Sequence, residues 1–168
     1  MTLDLQTLSD RIAIEERLNF YAHFIDTRQF HRVAAEVFTE DADVDFAGLN
    51  VVGRAAIDST LKGLTTGIIG TSHNISNVFI EVNGDDARMS CRIMAWHWFE
   101  KPGGDKLAPT DLLAVGGYQD RVRRTPEGWR IYHRRGLSFG TGIGIGAVPD
   151  DLRPIMEATL GRVADWPG

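Results

Sequence analysis

The chain has 168 residues, of which 43% are hydrophobic and 24% are charged, which is the composition of an ordinary globular domain. Its formal net charge of −5 argues against nucleic acid as a partner, because phosphate backbones would be repelled. No apolar run approaches the ~20 residues that cross a bilayer, and the start lacks the basic and apolar segments of a signal peptide. We therefore expect one soluble, cytoplasmic domain over residues 1–168, without a membrane partner.

Patterns of metal ligands are weak in this sequence. The single cysteine, Cys91, excludes an internal disulfide and a cage of thiolates, and its alternating surroundings indicate a small buried hydrophobic residue. Asp41, Asp43 and Asp45 imitate the spacing of a calcium loop, but Phe46 stands where such a loop needs glycine. We expect no metal site.

Helical periodicity dominates the first third of the chain. Apolar residues recur three and four positions apart from about Leu8 to Ile25, and Ser9 or Asp10 is the predicted N-terminal cap. Shorter helices are predicted at about 30–38 and 53–64. The first part of the domain is therefore expected to be mainly helical.

Alternating patterns dominate the remainder. A brief strand is predicted at 42–46, and four longer ones follow at about 73–82, 87–100, 111–124 and 129–138. Helices followed by a long meander predict an α+β fold, in which helices cover the concave face of a curved antiparallel sheet.

The last segment, 139–168, is predicted to be a C-terminal extension. Its glycine-rich part does not link a strand to a helix as a phosphate-binding loop does, so no nucleotide cofactor is expected. An amphipathic helix is predicted at about 150–164, where it would close a pocket or pack on a neighbouring subunit.

Strand alternation brings several polar side chains to the face that the helices cover. His97 and Tyr118 each belong to a mostly apolar row of their own strand. The row of the first long strand consists of His73, Ile75, Asn77 and Phe79. Asp26 follows the first helix at its negative end, where an acid needs a partner. Each of these residues alone could equally be a packed core residue. If they meet in one cavity, however, a carboxylate there could orient an imidazole so that it acts as a general base.

Several short motifs follow one another along residues 8–136, namely Tyr21-x4-Asp26, Phe38-x2-Asp41-Ala42, Gly53, Thr71-x-His73, Gly84-Asp85-x-Ala87, Gly117-Tyr118-x-Asp120 and Gly128-Trp129-Arg130-Ile131. In order and spacing they resemble those of the SnoaL-like (nuclear transport factor 2-like) superfamily. The chain looks most like the branch that holds scytalone dehydratase, hexachlorocyclohexane dehydrochlorinase and bile-acid 7α-dehydratase. The resemblance implies a cystatin-like α+β cone with a hydrophobic pocket.

The resemblance also implies roles for individual residues. The positions that match its catalytic pair are Asp26 and His73, with no cofactor. The implied substrate-binding positions are Tyr21, His97, Tyr118 and Arg134. Substrate identity does not carry over, because the loop at Gly103 and the glycine-rich tail do not match.

The activity expected from this resemblance is a lyase reaction, a dehydration or related elimination, on a small aromatic or cyclic molecule. Two alternatives remain open. One is an isomerase or cyclase with the same pocket, and the other is a non-catalytic ligand-binding protein or small subunit of a ring-hydroxylating dioxygenase.

A homo-oligomer is expected from the outer face of the sheet. That face carries the bulky residues Met94, Trp96, Trp98, Leu113 and Val115. Because such residues are costly to leave in water, we expect them to be covered by another copy. The resemblance favours a trimer, with a dimer as the alternative.

Overall fold

A computed structural model describes residues 4–46, 48–104, 111–138 and 143–144. The helices are α1 (Leu5–Asp26), α2 (Phe30–Arg32), which continues as a π-helical segment (Val33–Val37), and α3 (Arg54–Leu64). None of the helices in these ranges is long and apolar enough to span a membrane. The C-terminal helix predicted at 150–164 lies outside the described residues.

The seven strands within the described ranges form one sheet. They are β1 (Phe38–Asp45), β2 (Asn50–Val52), β3 (Ile68–Asn83), β4 (Asp86–Phe99), β5 (Leu112–Thr125), β6 (Gly128–Ser138) and β7 (Ile143–Gly144). Their order is β2-β1-β6-β5-β4-β3, and β7 pairs with β5. All pairs are antiparallel except β1 with β6. The predicted α+β class is confirmed.

Helix α1 begins earlier than predicted. Asp4 is its N-cap, and the Asp4 carboxylate accepts a backbone hydrogen bond at 2.8 Å from the first turn. The predicted cap at Ser9 or Asp10 is wrong, because Asp10 lies inside the helix and serves a tertiary contact. Its buried carboxylate accepts hydrogen bonds from Trp129 Nε1 at 3.1 Å and from Arg124 Nη2 at 2.7 Å.

One side of α1 packs against one face of the sheet, which we call the helix-covered face. The buried residues of this helix include Ile14, Leu18, Tyr21 and Phe24, and α1 lies next to β3 and β6. Burial of each large apolar side chain stabilises the fold by ~1.5–3 kcal/mol. The opposite side of the sheet, which no described helix covers, is called the open face.

The alternation predicted for β4 and β5 is confirmed. Every second residue of β4 from Ala87 to Ala95 is buried, including Met89 and Cys91. Cys91 is the Cα partner of Tyr118 on β5. His97 lies on the same face, opposite Leu112.

A bulge in β3 changes which side chains face inward. Ser76 pairs with Arg92 but Phe79 pairs with Ser90, so β3 carries one extra residue between them. Asn77 sits there with a φ of 51°, a left-handed conformation that asparagine tolerates. Phe79 is therefore 69% exposed. The prediction that Asn77 and Phe79 face inward is wrong, because simple alternation ends at the bulge.

A second irregularity in β6 has the same kind of effect. The consecutive β5 residues Arg121 and Val122 pair with His133 and Ile131, so β6 carries one extra residue. As a result Arg134, and not His133, shares the buried side of the strand with Ile131, and both are fully buried. This shift decides the surroundings of Arg134.

Candidate active site

The last residue of α1 and the first half of β3 form a carboxylate–imidazole pair. Asp26 Oδ1 lies 2.7 Å from His73 Nδ1, and the backbone N–H of His73 donates to Asp26 Oδ2 at 2.9 Å. The Thr71 hydroxyl donates to Asp26 Oδ1 at 2.8 Å. The carboxylate at the negative end of the helix therefore has three donors, which fix its position and that of the imidazole.

Burial and hydrogen bonding act in opposite directions on Asp26. Burial raises the pKa of this carboxyl group, but the hydrogen bonds from His73 and Thr71 outweigh it, so the pKa lies below the ordinary 3.8. The side chains of His73 and Asp26 are 8% and 26% exposed. An ionised Asp26 accepts a hydrogen bond from the tautomer of His73 that carries its proton on Nδ1, and in that tautomer Nε2 keeps its lone pair. No described residue is hydrogen-bonded to Nε2.

A mainly apolar cavity of about 270 Å³ opens beside this pair. Its walls come from α1, α3 and strands β3 to β6, and include Ile25, Leu61, Ile93 and Leu137. No Lys, Arg, Asp or Glu is among the described residues of the lining. The volume lies just below the usual range for ligand pockets, which is about 300–1,000 Å³, so a compact molecule fits.

The predicted polar residues Tyr21, His73, His97 and Tyr118 all line this cavity. The ring centroid of Tyr21 lies 5.5 Å from that of Tyr118 and 6.4 Å from that of His73, and both contacts are edge-to-face. Burial, with Tyr21 beside it, raises the pKa of Tyr118 well above the ordinary 10.0. The Tyr118 phenol therefore stays protonated and is a hydrogen-bond donor at neutral pH.

His97 is the second imidazole of the cavity. Its ring centroid lies 5.9 Å from that of His73. Burial and the nearby His73 lower the pKa of His97 below the ordinary 6.5, so this ring is neutral at pH 7. Its Nδ1 is buried and has no hydrogen-bond partner among the described residues. A buried polar atom of this kind costs about 1–3 kcal/mol while it is unpaired.

Arg134 differs from the other predicted site residues, because it is absent from the described cavity lining and is fully buried. Its Nε and Nη2 donate to the two oxygens of Asp120 at 2.8 and 2.7 Å. Burial opposes its charge, but Asp120 outweighs burial and raises the pKa of Arg134. The guanidinium carbon lies 3.9 Å from the ring centroid of Tyr118 and 4.4 Å from that of Tyr21. Arg134 thus lies behind the two tyrosines.

Thr71 lines the cavity, and Asp120 holds Arg134 behind the two tyrosines, but neither was predicted as a site residue. Both stand in motifs that the sequence makes visible, Thr71 two residues before His73 and Asp120 two residues after Tyr118. Because alternation puts residues two apart on one face, this spacing was the signal that could have identified them.

Gly116 is buried in the cavity lining, where β5 and β6 approach closely. A Cβ atom on Gly116 would be 2.2 Å from the carbonyl oxygen of Leu137. Any larger residue would therefore push the two strands apart at this point.

Within the described ranges, no group of three His, Cys, Asp or Glu side chains is arranged to hold a metal ion. The acidic row of β1 makes other contacts: Asp41 pairs with Arg123, and Asp43 Oδ2 lies 3.5 Å from His133 Nδ1.

Solved structures share this architecture. A protein from Novosphingobium aromaticivorans DSM 12444, provisionally assigned as a scytalone dehydratase, is 26% identical with a TM-score of 0.71, over 94% of this chain and 97% of that chain. An NTF2-like protein with a cystatin-like fold from the same species is 25% identical with a TM-score of 0.65, over 80% and 85%. The predicted cystatin-like class is confirmed.

Two further likenesses extend this picture. A hexachlorocyclohexane dehydrochlorinase from Novosphingobium barchaimii LL02 has a TM-score of 0.72 at 20% identity, over 88% of this chain and 99% of that chain. At this identity the similarity shows a shared fold and nothing more. An uncharacterized protein of Mycobacterium tuberculosis is 31% identical over 137 residues, 79% of this chain and 87% of that protein. The SnoaL-like domain family matches residues 6–135, so the predicted resemblance is confirmed and the chain belongs to this family.

Proposed function

We propose that the protein is a cofactor-free lyase in which His73, oriented by Asp26, removes a proton from a small cyclic or aromatic substrate. The observation that carries this proposal is the 2.7 Å contact between His73 Nδ1 and Asp26 Oδ1 beside an apolar cavity. That contact leaves Nε2 as a free base at the cavity wall, where water competes little for the substrate proton.

The proposed elimination balances without a cofactor. His73 Nε2 takes a proton from one carbon, and the electron pair of that C–H bond becomes the second bond to the neighbouring carbon. The bond from this neighbour to hydroxide or halide breaks, and the leaving group keeps its electron pair. Asp26 stabilises the imidazolium that forms. Tyr118 and Tyr21 donate hydrogen bonds to the leaving group or to a developing oxyanion.

The cavity favours a neutral, compact substrate. Its described lining has no charged side chain to neutralise an acid, and the positive charge of Arg134 is already paired with Asp120. We therefore do not retain the predicted role of Arg134 as a ligand for an acidic or phenolic group. Among the described residues of the lining, we instead assign His97 as a neutral hydrogen-bonding partner for a polar atom of the substrate.

Two probes test the proposal, namely scytalone and hexachlorocyclohexane, the compounds in the names of the structural neighbours. Loss of water or of hydrogen chloride is measured by mass spectrometry, and proton abstraction is measured by deuterium incorporation in D₂O. We expect His73→Ala to lower the rate by about 10²–10⁴-fold with ligand affinity largely kept. His31→Ala, at an exposed histidine of α2, is the matched control and should keep the rate.

The same measurements separate the competing functions. An isomerase or cyclase would release, in H₂O, a product with the same mass as the substrate. Near-normal turnover of His73→Ala would eliminate the general-base role. Binding of the probes without exchange or turnover, in wild type and variant alike, would favour a ligand-binding protein.

A further inference from the structure

A groove of about 430 Å³ on the open face of the sheet contains three arginines without a partner. Arg88 of β4, Arg121 of β5 and Arg135 of β6 are exposed and line this groove. No ion pair or hydrogen bond joins any of them to another described residue. Arg124, which follows on β5, binds two carboxylates. The groove therefore concentrates unpaired positive charge in a chain of formal net charge −5.

The strand register places two of these charges side by side. Arg88 and Arg121 are Cα partners, and like charges directly opposite each other destabilise a sheet. Glu81 is the Cα partner of Arg88 on β3, but it forms no ion pair with that arginine. No described carboxylate thus neutralises the pair. An anion bound between the two guanidinium groups would relieve their repulsion.

Neutral hydrogen-bond donors adjoin the arginines. Ser90, Gln119 and Arg135 are successive Cα partners two residues further along the strands, and all three line the groove. The side chains of Ser90 and Gln119 also have no hydrogen-bond partner among the described residues. Neighbouring strands lie about 4.8 Å apart, and residues two apart on one strand lie about 7 Å apart. Arg88, Arg121 and the two neutral donors therefore surround an area the size of one oxyanion.

An aromatic ring borders the donors on the β3 side. Phe79 is the Cα partner of Ser90, lines the same groove and is 69% exposed. The bulge at Asn77 is what turns this ring outward. An exposed aromatic ring beside a cluster of donors suits a ligand with a planar ring on one side and an anion on the other.

We propose that this groove is a second ligand site, which binds a small phosphate monoester that carries a planar ring. Its phosphate lies between Arg88 and Arg121, because a guanidinium binds phosphate through two parallel hydrogen bonds. A phosphate monoester carries close to two negative charges at neutral pH, since its second pKa is about 6, so it suits several arginines better than a carboxylate does. The ring of the ligand stacks on Phe79.

The proposed site is separate from the candidate active site and from the surface where another copy is expected. The sheet lies between the groove and the apolar cavity, because the cavity is on the helix-covered face. The apolar residues Met94, Trp96 and Trp98 lie toward the other end of β4. Binding in the groove therefore does not depend on the proposed lyase activity.

Isothermal titration of the full chain with phenyl phosphate tests the proposal, in a buffer free of phosphate at neutral pH. We expect saturable binding at one site per chain. Arg121→Gln should weaken it about tenfold or more, because hydrogen bonds between two charged groups are lost. Phe79→Ala should weaken phenyl phosphate about 2–10-fold and leave the affinity for inorganic phosphate unchanged, since only the stacking is lost.

Two control variants locate the binding. Lys62→Gln removes the same charge from an exposed position on α3 and should keep the affinity. His73→Ala, in the candidate active site, should keep it as well. Without ligand, Arg121→Gln should not lower the melting temperature, because it removes a repulsion with Arg88. Phenyl phosphate should raise the melting temperature of the wild type and not that of Arg121→Gln.

Three results would overturn the proposal. The first is the absence of saturable binding of phenyl phosphate at millimolar concentration. The second is an equal affinity in Arg121→Gln and wild type, or an equal loss in Lys62→Gln, since binding would then follow net charge alone. The third is an unchanged affinity of Phe79→Ala for phenyl phosphate, because the ligand would then need no ring.

Discussion

Asp26 with His73 and Asp120 with Arg134 are two pairs of a carboxylate and a basic group, and both lie near the ring of Tyr21. In the first pair, the imidazole contacts its carboxylate through Nδ1, and His73 lines the cavity. In the second, the guanidinium is fully buried and bound at two nitrogens. The comparison teaches that access to the second nitrogen, and not burial of the carboxylate, separates a candidate catalytic pair from a structural one.

The largest expected effect is on stability, at the Asp120–Arg134 pair. Arg134→Met leaves Asp120 buried without its counter-charge, which should lower the free energy of unfolding by about 3–5 kcal/mol. Urea denaturation measures this loss. The double variant Arg134→Met with Asp120→Leu should recover most of it, since no charge is then left unpaired. If the free energy of unfolding falls less in the single variant than in the double variant, Asp120 does not depend on Arg134 as its counter-charge.

At the other pair, the expected effect is on the rate. Asp26→Asn keeps the size of the side chain but cannot stabilise an imidazolium, so turnover of a responsive probe should fall about 10²-fold or more. The free energy of unfolding should change by about 1 kcal/mol, the net value of one hydrogen bond. A variant that keeps its rate and loses stability would make this pair structural as well.

A substitution at Gly116, in the cavity lining, should have a smaller effect. Gly116→Ala forces a Cβ atom against the Leu137 carbonyl, so we expect a loss of about 1–3 kcal/mol and weaker probe binding. Gly63→Ala is the control, because a Cβ there meets nothing within 4 Å and lies in helix α3. That control should stabilise the protein by about 0.5–1 kcal/mol. Equal effects at both glycines would contradict the close contact.

The smallest effect concerns pH. The pKa of His97 is lower in the folded chain than its ordinary 6.5, so the unfolded chain binds more protons as pH falls below that value. Stability from His97 is therefore complete above pH 6.5 and is lost on acidification toward the folded pKa. His97→Gln should remove part of that loss, by at most ~1.4 kcal/mol per pH unit. The measurement is the melting temperature of the wild type and of His97→Gln at pH 7 and at pH 5.5. An equal fall in both proteins would contradict a contribution from His97.

The sequence alone determined the early helices, five of the described strands (β1 and β3 to β6) and most of the inward positions. The alternation of β4 and β5 correctly predicted that His97 and Tyr118 face the helices, because no bulge interrupts these strands where they pair with each other. The position of Asp26 at the negative end of α1 also indicated that it needs a partner, and His73 and Thr71 supply it.

Only the tertiary structure decided the residues beyond the two bulges. One extra residue near Asn77 turns Phe79 out to the open face, and one extra residue in β6 turns Arg134 in toward Asp120. A bulge depends on how the paired strand and the packed helix accommodate an unpaired residue. The periodicity of a single strand therefore does not predict where a bulge occurs. For the same reason the resemblance pointed to Arg134 but the sequence did not predict its partner. Asp120 lies beside Arg134 only because of the register between β5 and β6.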